Sequence, residues 1–99
     1  MRITMKVITK EQCWFDFDNY LVQKVESVRF IDNNLELKLV DREKLLFSNI
    51  KVIFADLRIF NFNNLYFYNI KVEKFEETVN FFLIFESDEK LYEIKLNMM

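Results

Sequence analysis

Val79-Asn80-Phe81-Phe82-Leu83-Ile84-Phe85-Glu86-Ser87-Asp88-Glu89-Lys90-Leu91-Tyr92-Glu93-Ile94-Lys95-Leu96 decides the fold. Val79, Phe81, Leu83 and Phe85 fall on one side of an extended chain, with Phe82 and Ile84 on the other. After the polar break Ser87-Asp88-Glu89-Lys90, the residues Tyr92, Ile94 and Leu96 alternate with Leu91, Glu93 and Lys95. Period two is the strand signal, and Phe, Ile, Val and Tyr suit a pleated, half-buried surface. Apolar residues on both faces of 79–86 predict a central strand, or one covered by the segment 10–20.

The same alternation extends over most of the 99 residues. It predicts strands at 2–9, 21–31, 35–40, 45–55, 57–62, 65–74, 79–86 and 90–97. Breaks fall at Asp32-Asn33-Asn34, Asp41-Arg42-Glu43-Lys44, Asn63-Asn64, Glu76-Glu77-Thr78 and Ser87 to Lys90. Asn and Asp tolerate the left-handed backbone that tight hairpins need. Regular short strands with such breaks predict an all-β domain over 1–99, an antiparallel sandwich or partly open barrel of about seven or eight strands. Segment 10–20 reads as a loop, a short helix or an extra strand. In 65–74 the alternation places Tyr66, Tyr68, Ile70 and Val72 on the core side, with Phe67 opposite.

Composition excludes several chemistries. Apolar residues make up 52% of the chain and aromatics 17%, which a disordered segment does not have. Histidine is absent, so no Ser-His-Asp or Cys-His pair and no His-containing zinc site can form. Glycine is absent, which removes the P-loop and the dinucleotide fingerprint. No catalytic group, cofactor or metal is therefore expected. Asp16-Phe17-Asp18 sets two carboxylates two apart, a pattern that can meet a hard cation. It lacks the further oxygen ligands and the turn glycine of such loops, and reads as a solvated pair beside buried aromatics.

Cys13 has no partner in the chain, which suits a reducing compartment. With Trp14 it reads as an inert core residue. Met1 to Gln12 hold no signal-peptide run, and the apolar stretch Phe81 to Phe85 is too short to cross a bilayer. A soluble cytoplasmic protein is expected. Phe, Ile, Lys, Asn and Tyr fill 45 positions, against five for Gly, Ala, Arg and Pro, so the coding sequence is expected to be AT-rich.

The net charge is -2, too little positive charge for nucleic acid. Its distribution is uneven. Residues 1–72 carry 9 acids and 11 bases, and 73–99 carry 7 acids and 3 bases. An acidic face at the C-terminal end would steer a basic partner into contact. Phe60-Asn61-Phe62-Asn63-Asn64-Leu65-Tyr66-Phe67-Tyr68 is dense in aromatics, which can anchor a protein interface.

The run from Tyr20 to Phe30 into Asp32-Asn33-Asn34, then Leu35-Glu36-Leu37-Lys38-Leu39, closes on the final paired strands ending at Leu96. In this pattern the chain resembles small all-β immunity proteins of contact-dependent inhibition and related polymorphic toxin systems of bacteria. The resemblance implies a stoichiometric inhibitor of a basic toxin domain, such as a nuclease, and not an enzyme. The expected contact residues are Glu76, Glu77, Asp88 and Glu89 as the rim, with Phe67 as the anchor. A β domain that binds its own copy through an edge strand, and a carrier of a small apolar ligand, remain the other readings.

Overall fold

The computed structural model describes residues 5–12 and 16–98. The expectations for residues 2–4 and for Cys13 and Trp14 lie outside the described residues. The all-β reading holds. Eight strands form one sheet: β1 Met5–Ile8, β2 Gln23–Ile31, β3 Asn34–Leu39, β4 Lys44–Phe47, β5 Ile50–Ala55, β6 Tyr66–Phe75, β7 Thr78–Ser87 and β8 Lys90–Met98. Their order across the sheet is β1-β4-β3-β2-β6-β7-β8-β5. Only the β1–β4 pair is parallel, and β1 and β5 are the two unclosed ends.

One strand joins the two halves of this sheet. The first residues of β2, Gln23 and Lys24, pair with Phe67 and Tyr66, and the rest of β2 pairs with β3. The sheet folds back on itself about that joint. Phe47 on β4 then meets Phe81 on β7 edge to face, with ring centroids 5.4 Å apart. Phe17 packs on both rings, at 6.1 and 6.4 Å. Leu35, Leu37, Leu39 and Leu45 come from one half, and Phe67, Leu83, Phe85, Ile94 and Leu96 from the other. All nine side chains are fully buried. Each such burial contributes about 1.5–3 kcal/mol.

The described residues of segment 10–20 contribute no strand. They contain two 3-10 turns, Lys10–Gln12 and Asp18–Tyr20. Asp16 and Asp18 are exposed about a buried Phe17. The Asp16 Oδ1 accepts the Asp18 N–H at 2.9 Å, so one carboxylate serves the turn. Tyr20 is buried and its hydroxyl donates to Glu43.

Two strand expectations are corrected. The run 45–55 breaks at Ser48-Asn49, where Asn49 has a φ of 56°. The Asn49 N–H is accepted by Asn34 Oδ1 at 3.0 Å, and the chain crosses from β4 in one half to β5 in the other. The run 57–62 is not a strand: Leu57–Asn61 form a 3-10 turn. Asp56 caps it, accepting the Arg58 N–H at 3.1 Å and the Arg58 guanidinium at 2.6 and 2.9 Å. A local Asx bond of this kind competes with the sheet ladder. Alternation alone does not register it.

Glycine is absent, so other residues take the left-handed turns. Val22, Asp32, Asp41, Asn49, Glu76, Asp88 and Glu89 all have φ between 52° and 66°. Val22 is the most costly of these, because a β-branched side chain fits that region poorly. Its N–H is fixed to the Phe67 carbonyl at 2.6 Å, and its side chain is exposed. Val22→Gly should therefore relieve strain without losing a contact. The expected gain is about 1 kcal/mol, read as a higher midpoint in urea unfolding.

One charged group is built into the sheet. Glu36 on β3 is buried on the outer side of its half. Its Oε1 accepts from Lys44 Nζ and Arg29 Nη2, both at 2.8 Å. Hydrogen bonds from Lys44 first, then Arg29, hold its carboxyl below the ordinary value of 4.5 against the opposing effect of burial. A carboxyl depressed by folding contributes stability above its unfolded value, and loses it as pH falls through the folded value. Glu36→Gln should thus lower stability at pH 7 and make its decline below about pH 4.5 shallower. Thermal unfolding across pH 3–7 (roughly the carboxylate range) checks both.

Candidate interaction face

The expected acidic rim divides into two parts. Glu76 and Glu77 form the turn between β6 and β7, and Asp88 and Glu89 the turn between β7 and β8. The ten residues of β7 separate them, which at about 3.3 Å per residue is roughly 33 Å. The molecule itself measures 36 × 34 × 26 Å. The four carboxylates therefore stand at opposite ends and do not surround one contact.

Phe67, expected as the anchor, lies in the interior and not on the surface. It is 0% exposed, packed at 5.6 Å from Phe85. Tyr66 and Tyr68, expected in the core, are exposed instead. A β-bulge explains the exchange. The β6–β7 register slips between Phe67 and Asn69, leaving Tyr68 as the additional residue. The slip reverses the phase of the strand. Phe67 thereby joins Ile70 and Val72 on the core side, where their cross-strand partners are Phe85, Leu83 and Phe81.

The outer face of β6, β7 and β8 is built in cross-strand rows. Towards the β7–β8 turn, Tyr66, Glu86 and Leu91 form one row. Asn69, Ile84 and Glu93 form the next. Asp88 and Glu89 sit in the turn just beyond. Directly opposite residues in such rows lie about 5 Å apart. Leu91 is 59% exposed and Tyr68 47%. Glu86 thus stands between the exposed Tyr66 and Leu91, with Tyr68 nearby on β6, Asp88 and Glu89 beyond the row and Glu93 behind it. Lys90 and Lys24, the latter opposite Tyr66, are the nearby bases. Sequence reasoning missed Tyr66, Tyr68 and Leu91, because the bulge leaves no mark in residue type and Leu91 looks like any apolar strand residue.

Further along the same face, Lys71, Phe82 and Lys95 form a row. The ammonium groups of Lys71 and Lys95 stand 5.7 and 4.8 Å from the Phe82 ring centre. Their stems cover part of the ring, so the outer apolar side of β7 is half-buried in part by lysines. On the inner side, among the described residues, Phe47, Phe67, Phe81 and Phe85 pack with fully buried Ile, Leu and Val side chains. Among the described residues no three His, Cys, Asp or Glu side chains gather as metal ligands would.

Comparison with known proteins finds no matching family model, no matching characterised protein and no matching solved structure.

The exchange of Phe67 for its neighbours is measurable. Phe67→Ala should cost about 3–5 kcal/mol of stability. Leu91→Ser should change it by less than about 0.5 kcal/mol. Chemical denaturation of the two variants distinguishes a core residue from a surface one.

Proposed function

We propose that this chain is a non-catalytic protein-binding domain: an immunity protein that neutralises a basic toxin domain, such as a nuclease, by stoichiometric occupancy in the cytoplasm. The observation that carries this reading is the exposed Tyr66, Tyr68 and Leu91 interspersed with Glu86 and flanked by Asp88, Glu89 and Glu93. An apolar centre within a charged rim is the usual anatomy of a protein interface. The sign of this rim complements a protein that must itself hold phosphate. Carboxylates displayed on a rigid hairpin can occupy the positions that phosphates take on such a partner. Glu76 and Glu77, at the far end of β7, are outside the contact.

The test requires a basic toxin domain, sought among the genes beside this one and co-expressed with the chain. Titration calorimetry gives the affinity, and growth of toxin-expressing cells gives the protection. Leu91→Ala and Tyr66→Ala should each weaken binding by about 2 kcal/mol, roughly thirtyfold. Reversing Glu86, Asp88, Glu89 and Glu93 to Lys together should slow association and remove most of its salt dependence. Reversing Glu76 and Glu77 should change neither. Equal losses from both ends of the molecule, or none from either, would sink the assignment of this face.

A further inference from the structure

We propose that β5 pairs antiparallel with β5 of a second copy of this chain, about a two-fold axis between Ile53 and Phe54. Among the described residues β5 is one end of the sheet, with β8 as its only neighbour strand. Val52, Ile53 and Phe54 are consecutive exposed apolar residues, and Leu57 follows them at 72% exposure. An unpaired strand edge of this composition is a template for another strand.

The hydrogen bonds fix which main-chain groups face outward. The Ile50 N–H donates to the Asn33 carbonyl at 2.7 Å, away from β8. The Asp56 N–H donates to the Glu93 carbonyl at 3.1 Å, towards β8. Alternation from each end then turns Val52 and Ala55 outward. Between them lies a β-bulge, where the register with β8 slips between Val52 and Phe54. A regular strand presents outward groups two residues apart. This edge presents them three apart, so an ordinary strand cannot match both.

A second β5, reversed, has the same spacing. In that register Val52 faces Ala55 of the second copy, and Ala55 faces its Val52. Ile53 faces Phe54 of the second copy, which brings two Ile and two Phe together at the axis. Lys51 faces Asp56 of the second copy, whose carboxylate is held by its own Arg58. Ile50 is already bonded to Asn33, which confines the pairing to Val52 through Asp56. The contact is isologous and closes as a dimer. It leaves the Tyr66 and Leu91 face untouched, so it is independent of the proposed toxin contact.

Sedimentation equilibrium of the full chain over a micromolar to millimolar range tests the pairing. A monomer–dimer equilibrium is expected. Val52→Pro removes an outward N–H and leaves the bonds to β8 in place. It should raise the dimer dissociation constant at least about tenfold, because symmetry removes the bond twice. Ile53→Lys places a charge at the axis without altering the backbone, and it should also give monomer. Circular dichroism verifies that each variant keeps the sheet. A wild-type chain that stays monomeric overturns the proposal. So does a dimer that persists in folded Val52→Pro and Ile53→Lys.

Discussion

The contact of Phe47 with Phe81, with Phe17 against both, holds the two halves of the molecule together. The hydrogen-bonded joint between β2 and β6 is narrow: Gln23 and Lys24 pair with Phe67 and Tyr66, flanked by bonds from the Val22 and Val25 N–H groups to the Phe67 and Leu65 carbonyls. So short a joint does not by itself set the angle between two sheets. The interior rings do, because an edge-to-face arrangement fixes both distance and inclination in a way that aliphatic contacts do not. The turn Asp18–Tyr20 is placed by the same ring of Phe17, and the position of β1 follows from its pairing with β4. Everything outside the core, including the acidic hairpin and the free edge of β5, is oriented by that fold.

The absence of glycine shapes the periphery. Every hairpin turn with a left-handed residue must use one that carries a side chain, and here the side chains are mostly acidic or Asn. Turn geometry and surface charge are thereby coupled. In the β7–β8 turn both Asp88 and Glu89 are left-handed, the pattern of a two-residue hairpin that Asn-Gly would satisfy with less strain. Bulges at Tyr68 and Ile53 then supply the local irregularity that glycine commonly provides.

Much of the fold was legible in the sequence because burial on one face of a strand imposes period two. The strands 21–31, 35–40, 65–74, 79–86 and 90–97 correspond to β2, β3, β6, β7 and β8 within one or two residues. What was not legible depended on single hydrogen bonds. The Asp56 cap turned an apolar alternation into a 3-10 turn, and Asn49 with Asn34 split one long run into two strands. The candidate site suffered more. Sequence placed Glu76, Glu77, Asp88 and Glu89 in two turns correctly but could not say that β7 holds those turns apart. One extra residue at Tyr68 exchanged the faces of Tyr66 and Phe67.

Backbone strain at Asp88 and Glu89 is suggestive of function only in combination. Residues in disfavoured regions gather at functional sites, and a charged left-handed Glu is costlier than Gly would be. Yet Glu76 at the other end of β7 is equally left-handed, with a φ of 53°. A chain without glycine produces such residues at any tight turn, so strain alone does not separate the two ends. The apolar neighbours do. Beside Asp88 and Glu89 lies the row of Tyr66, Glu86 and Leu91, with Ile84 and Glu93 behind it. Beside Glu76 and Glu77 the next outward row is Glu73, Asn80 and Asn97, with the Asn97 and Asn80 amides bonded to each other at 2.7 Å. Phe75 is the exposed ring at that end. A polar row already satisfied within the sheet offers a partner little to desolvate favourably. An exposed Leu and two Tyr beside unpaired carboxylates offer both an anchor and a direction of approach.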